Sequence, residues 1–302
     1  MRRRLIKCLF SESEFKPSRN HGHHEGKYRF DDLHMIQILN TVDASERVLG
    51  EYMSMLEIYN TVPDFAPRPR GYGKCDGDDS YFFLCDYLSI KSELPNPVEL
   101  GRKLAEMHKK SQSPTGQFGF HVTTFDRKLP LNTTWDRNWT SFFKKLLYGV
   151  YELDVKANGV WKELDDLMEI ALEKLIPRLL DALVTGQRSI KPCLIHGDLW
   201  ESNTGTDDHT GDLYIYDACA YYAHNEKEIA IWRVEHHEMT NPAYLKEYLK
   251  NFEPSEPKEE FDDRSRLYAI ETLLINSAHF PGKGTRQLAA EELKYLLKKY
   301  IT

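Results

Sequence analysis

The run Leu194-Ile195-His196-Gly197-Asp198-Leu199-Trp200-Glu201-Ser202-Asn203, followed by Leu213-Tyr214-Ile215-Tyr216-Asp217, constrains the fold of this chain more than any other stretch. Its two short apolar segments read as buried strands, and each delivers polar residues at its end. The first ends in His196 and Asp198, with Asn203 following in the next turn, and the second ends in Asp217. A strand, an Asx-rich turn and a second strand with no chemistry would explain His-Gly-Asp alone. It would not explain three oxygen-bearing side chains set in this order between two buried strands.

That order suits phosphoryl transfer, and the Asp-to-Asn interval is the one found in kinase catalytic loops. A carboxylate at Asp198 can orient an acceptor hydroxyl and take its proton. Asn203 and Asp217 supply hard oxygen ligands. Mg²⁺ keeps waters and phosphate oxygens in its shell, so one or two protein ligands suffice. His196 reads as a residue that orients the loop rather than as a base.

A chain of 302 residues allows one large domain or two joined lobes with a sizeable core. Its net charge of -7 gives no support for nucleic acid or an anionic membrane surface as a partner. No apolar window of about 18 residues exists, so no membrane span is expected. The start is too short and too polar in its apolar stretch for a signal peptide. Cys8, Cys75, Cys85, Cys193 and Cys219 are scattered and form no Cys-x-x-Cys pair, which points to a reducing, cytoplasmic setting.

Along the chain, residues 1–30 show no periodicity and read as a poorly specified N-terminus. Within them His21-Gly22-His23-His24 reads as a solvated tract rather than a zinc site. Leu33 to Leu39 reads as a strand. A capping box from Asp43 to Glu46 then opens a helix whose apolar face uses Leu49, Tyr52, Leu56 and Tyr59. Ser80 to Leu88 reads as a strand linking two lobes. The next helix has Asn96 as its cap, Pro97 in its first turn, and Leu100, Leu104 and Met107 buried. Helical spacing recurs near 135–150, 160–184, 226–250, 262–280 and 286–300, and Ser255 to Glu260 reads as a solvated loop. The expected architecture is α+β and bilobal, with a small β-rich lobe over 31–88 and a larger helical lobe over 89–302.

Several separated motifs resemble the fructosamine kinase family, also called ketosamine-3-kinases, a branch of the protein-kinase-like fold near the aminoglycoside phosphotransferases. They include Gly50-Glu51-Tyr52, Val62-Pro63-Asp64-Phe65-Ala66-Pro67, Leu104-Ala105-Glu106-Met107-His108, Phe118-Gly119-Phe120, His196-Gly197-Asp198-Leu199-Trp200, Asp217-Ala218-Cys219 and Tyr222-Ala223-His224-Asn225-Glu226. The resemblance implies ATP-dependent phosphorylation of the 3-hydroxyl of a ketosamine, fructosamine or ribulosamine, on a small amine or a glycated protein. In such a deglycation repair step the phosphorylated adduct becomes unstable. By the same resemblance Asp198 is the catalytic base and Asn203 and Asp217 bind Mg²⁺. Trp200 belongs to the sugar pocket, with His224 and Glu226 placed near the substrate amine. Asp86, Tyr87 and Leu88 form the hinge that meets adenine, and Glu51 is the helix carboxylate that pairs with a strand lysine on the ATP phosphates.

The N-terminus departs from that pattern. Where a strand ending in lysine is expected, this chain has Ile38-Leu39-Asn40, and Asn40 carries no positive charge. Only about 40 residues precede the helix, and no glycine-rich loop is recognisable among them. Losing a cation aimed at transition-state charge typically costs factors of about 100 to 1000 in rate. Two further readings therefore stand beside the first: a small-molecule hydroxyl kinase of choline or aminoglycoside type, and a pseudokinase that binds nucleotide without turnover.

Overall fold

The structure is a computed structural model describing residues 25–29, 33–77, 79–91, 93–235 and 237–301. The histidine tract at 21–24 lies outside the described residues. Strands β1 (Glu25–Arg29) and β2 (His34–Leu39) pair antiparallel, followed by helix α1 (Ala44–Thr61) and strands β3 (Pro69–Lys74) and β4 (Tyr81–Asp86). Among the described residues the sheet runs β1-β2-β4-β3, with every neighbouring pair antiparallel.

Strand β1 gives order to residues 25–29 of the N-terminus expected to be poorly specified over 1–30, whose remaining residues lie outside those described. Lys27 and Arg29 mask any apolar alternation, and an outer strand can be this polar because among the described residues only one of its backbone edges is paired. Side chains of β2 alternate as a strand requires. Ile36 and Ile38 pack with Phe82 and Leu84 on one face, while Met35 and Leu39 join the main core on the other.

Helix α1 differs from its expected form in two ways. The Asp43 side chain caps nothing; its carboxylate accepts from the Thr41 hydroxyl at 2.6 Å, and the first turn closes through the Asp43 carbonyl. The fully buried stripe is Val48, Met55 and Ile58 together with Gly50 and Ser54, while Leu49, Tyr52, Leu56 and Tyr59 are half-buried. The helix is packed on more than one side. Tyr52 rests on the sheet against Tyr72 and Phe83, leaving Ser54 and Glu51 to face inward.

The helical part begins with α2 (Pro97–Lys110), capped as its sequence requires: Asn96 accepts from the amides of Val98 at 2.9 Å and Glu99 at 3.3 Å. The hairpin of β5 (Thr124–Asp126) and β6 (Leu129–Leu131) precedes α3 (Trp139–Asn158). Next come α4 (Lys162–Ile170) and α5 (Ile176–Leu180), joined without a break in direction by a π-helical segment over 171–175. Four short strands follow: β7 (Cys193–Ile195), β8 (Thr204–Thr206), β9 (Leu213–Ile215) and β10 (Tyr221–Ala223).

The chain then forms α6 (Glu226–Ile229), α7 (Pro242–Asn251), α8 (Phe261–His279) and α9 (Thr285–Tyr300). The single helix expected over 226–250 is therefore two, separated by turns that bury Trp232. The Trp232 indole donates to the Leu199 carbonyl at 2.9 Å, and α7 restarts with Asn241 accepting from the Ala243 amide ahead of Pro242. Helix α8 is buried along nearly its whole length, against α3 on one side and α9 on another. No described helix is long and apolar enough to cross a membrane, and none of the four described cysteines forms a disulfide.

Candidate active site

Strands β7 and β10 pair antiparallel, as do β8 and β9, so the turn after β7 and the turn after β9 lie side by side. The first carries His196-Gly197-Asp198 and the second Asp217-Ala218-Cys219. The Cys219 amide donates to the His196 carbonyl at 3.0 Å. This approach requires a glycine at 197: its φ is +90°, and a Cβ there would lie 2.5 Å from the Cys219 carbonyl oxygen. Asp217 has a φ of +66°, a left-handed conformation that aspartate tolerates better than most residues.

His196 orients this loop, as its sequence position suggested. It is fully buried; its Nε2 meets the Tyr216 carbonyl at 2.9 Å, and the Asp198 amide donates to its Nδ1 at 3.3 Å. That pair of contacts requires the neutral ring with its proton on Nε2, and burial lowers its pKa accordingly. Glu228, which the sequence did not single out, accepts from the amides of both His196 and Gly197, the second at 3.1 Å. Burial would raise its pKa, but His108, His196 and the loop amide hold it below the usual carboxylate range. An acidic residue in the first turn of α6 was the available signal, but nothing local tied it to a loop some thirty residues earlier.

Asp198, Asn203, Asp217, Glu51 and Trp200 are brought together around a cavity of about 320 Å³, joined by Gln37, Arg47 and Arg127. The Asn203 amide nitrogen donates to the Asp198 backbone oxygen at 2.8 Å and to its carboxylate at 2.9 Å. Burial, reinforced by Asp126 and opposed by Asn203, lifts the Asp198 carboxyl to about 8. The helix bearing Glu51 is tied to the Asp217 loop through Ser54, whose hydroxyl donates to the Gly50 carbonyl at 2.7 Å and accepts from the Ala220 amide at 2.9 Å.

Asn40 does not reach this cluster, and a lysine from another strand does. Asn40 lies past the end of β2 and is exposed. Gln37 is the β2 residue that hydrogen-bonds Glu51. Lys27, on β1, forms an ion pair with the Asp217 carboxylate and interacts with Glu51. Burial alone would lower the Lys27 pKa, but Glu51 and Asp217 outweigh it and raise it. Burial drives the Glu51 pKa well above the usual carboxylate range, with the neighbouring Asp217 adding to the effect and Lys27 opposing it. Burial would also raise Asp217, but Lys27 and the hydrogen bonds Asp217 makes with Glu51 and Lys27 keep it below the usual range.

The donor set suits a hard divalent cation. Asn203 spends its amide nitrogen on Asp198, which leaves its oxygen available to a cation, and Asp217 adds a carboxylate on the same cavity.

At the end of β4, where the sequence suggested a hinge, the Asp86 carboxylate meets Arg70 at 2.5 and 3.1 Å. The Asp86 and Tyr87 amides are already spent on the carbonyls of Arg68 and Leu33. The Arg29 guanidinium lies 4.5 Å from the Tyr87 ring centroid. Trp200 lines both the first cavity and an adjoining one of about 150 Å³ that also includes Asp126, Ile231, His237, Glu271 and Phe280.

His224 and Glu226 line neither of these two cavities. Both are about 1% exposed. His224 bonds the Tyr268 hydroxyl at 3.0 Å and the Ser255 hydroxyl at 2.9 Å, while Glu226 takes a two-point bond from Arg264 at 2.7 and 2.9 Å. The Arg264 guanidinium also donates to the carbonyls of Ser255 and Pro257. The stretch read as a solvated loop does expose Glu256, Lys258 and Glu259, but its backbone at Ser255 and Pro257 is tied to this buried ion pair.

Burial lowers the His224 pKa to about 4, with Arg264 and His108 adding to that and Glu226 opposing it. An unfolded histidine titrates near 6.5, so between those values the unfolded chain binds the extra proton and stability falls as the pH drops. A loss approaching 3 kcal/mol from His224 alone is expected between about pH 6.5 and 4. Urea midpoints measured across that range test it. A His224→Gln variant with the same pH slope as the parent would show that the titrating group lies elsewhere.

The sequence model of the fructosamine kinase family matches residues 34–299. A chloroplastic protein-ribulosamine 3-kinase from Arabidopsis thaliana is 29% identical over 241 residues, covering 80% of this chain and 69% of that protein. A ketosamine-3-kinase from Mus musculus is 24% identical over 287 residues, 87% of each chain. A crystal structure assigned as a fructosamine-3-kinase from Thermobifida fusca superposes with a TM-score of 0.73 at 19% identity, over 93% of this chain and 92% of that one. An aminoglycoside phosphotransferase superposes with a TM-score of 0.61 at 14% identity, over 98% and 97%. The structural likenesses establish a protein-kinase-like fold, and with the family match across most of its length the chain belongs to the fructosamine kinase family.

Proposed function

We propose that this protein transfers the γ-phosphate of ATP to the 3-hydroxyl of a ketosamine, a ribulosamine or fructosamine carried by a small amine or a glycated protein. The observation that carries this reading is the convergence of Asp198, Asn203 and Asp217 on one cavity, with Trp200 forming the wall shared with a second. The relatives named as ribulosamine and ketosamine kinases supply the substrate class. Phosphorylation at that position makes the adduct unstable, so the reaction reads as deglycation. The disulfide-free described cysteines suit a reducing compartment such as the cytoplasm.

In this assignment the ionised form of Asp198, the minor form at neutral pH for a carboxyl raised to about 8, accepts the hydroxyl proton, with Asn203 holding its carboxylate in place. Asp217 and the Asn203 oxygen would hold Mg²⁺, which would supply charge neutralisation on the phosphates when bound. Adenine would meet the hinge at Leu88, since the amides of Asp86 and Tyr87 are already engaged. The second cavity pairs apolar walls from Trp200, Ile231 and Phe280 with the carboxylates of Asp126 and Glu271, which suits a sugar ring bearing a cationic amine.

The test is phosphate transfer from Mg-ATP to ribulosyl-lysine, fructosyl-lysine, choline and an aminoglycoside, with the product position read by phosphorus NMR. A 3-phosphate on either ketosamine is expected. Transfer only to choline or the aminoglycoside, or nucleotide binding with no product from any acceptor, would overturn the assignment.

A further inference from the structure

We propose that Lys27, on the outer strand β1, provides the cation that grips the nucleotide phosphates, and that the strand position opposite it has passed to Gln37. This deepens the proposed function and rests on it. In kinases a strand lysine paired with a helix glutamate holds these phosphates. Here the helix glutamate is Glu51, and the β2 residue that reaches it is the uncharged Gln37, whose Oε1 is buried with no hydrogen-bond partner among the described residues.

Register supplies the replacement. Lys27 and Gln37 are directly opposed in the β1–β2 ladder, and opposed residues of an antiparallel pair project from the same face. That face is the one whose Met35 and Leu39 pack into the main core, and it closes the cavity containing Asp198, Asn203 and Asp217. From there the ammonium already reaches the Asp217 carboxylate and acts on Glu51. A lysine is a compact charge on a flexible four-carbon stem, so a shift of one strand, about 4.8 Å, lies within its reach. Lys27 precedes the segment matched by the family model, which starts at His34.

Moving the lysine back tests this. Lys27→Ala, Lys27→Met, Gln37→Lys and the Lys27→Ala/Gln37→Lys double variant would be compared in two measurements. One is calorimetric binding of Mg-ATP and of adenosine, which lacks phosphates; the other is phosphate transfer to a ketosamine. Lys27→Ala and Lys27→Met are each expected to weaken Mg-ATP binding about tenfold or more and to lower kcat by about 100- to 1000-fold, with adenosine affinity unchanged. The double variant is expected to recover most of both losses, since it returns a cation to the face opposite Glu51.

Unchanged Mg-ATP affinity and turnover in both Lys27 variants would overturn the proposal. So would a double variant that retains adenosine binding yet recovers neither property. The two levels of inference separate cleanly: parent protein that binds Mg-ATP through Lys27 and phosphorylates no ketosamine fails the proposed function alone. Ketosamine transfer that survives loss of Lys27 fails this inference alone.

Discussion

Asp198→Asn is expected to lower turnover by about 10²- to 10⁴-fold, the usual contribution of a positioned general base, while Mg-ADP affinity stays within about twofold. The asymmetry follows from the contacts. An asparagine at 198 keeps an oxygen that can accept from the Asn203 amide, so the loop geometry survives, as does the Asp198 backbone oxygen's second bond from the same amide. What disappears is a group able to take a proton. Steady-state kinetics beside nucleotide calorimetry read both quantities. Turnover within tenfold of the parent would remove Asp198 as the base and leave Glu51 or Asp126 as the carboxylates near enough to be considered.

Much of this site was legible because its parts are close in sequence. His196, Asp198, Asn203 and Asp217 sit on two adjacent turns, and the strands that deliver them are apolar enough to be recognised. The distant Phe118-Gly119-Phe120 motif also has a physical place. Gly119 and Tyr222 exchange both backbone hydrogen bonds at 2.9 Å, which braces β10 just beyond the Asp217 turn. At Gly119, with a φ of +126°, an added Cβ would lie 2.7 Å from the Thr133 carbonyl oxygen.

The parts that were not legible depend on register and long-range pairing. Asn40 was read as the position facing Glu51, whereas the residue on that face is Gln37. Strand faces alternate, so an error of an odd number of residues points a side chain the wrong way. Lys27 could not be placed at all without knowing that it stands opposite Gln37. The broken helix after residue 226 did leave a trace, since Asn241-Pro242 is a cap followed by a first-turn proline, but the apolar spacing on either side obscured it.

Arg264→Met is expected to destabilise the fold by about 3–5 kcal/mol, because it leaves the Glu226 carboxylate buried without its partner. Arg264 is wholly buried, and its guanidinium makes four hydrogen bonds: two to Glu226 and one each to the carbonyls of Ser255 and Pro257. Marginal stabilities of about 5–15 kcal/mol make such a loss large enough to unfold a sizeable fraction of the molecules at 37 °C. Replacing both partners, Arg264→Met with Glu226→Leu, removes the stranded charge and should recover a large part of the loss, since a buried pair often exchanges for apolar groups at little net cost. Urea denaturation of the single and double variants measures this directly. The same pair decides between two roles for Glu226. A residue that contacts substrate would raise KM when neutralised while leaving the urea midpoint unchanged; a residue that anchors the 255–257 segment would lower the midpoint first, with kinetic losses that follow the unfolded fraction. The buried two-point bond to Arg264 requires the second pattern, and a stable Glu226→Gln variant with an unchanged midpoint and a raised KM would refute it.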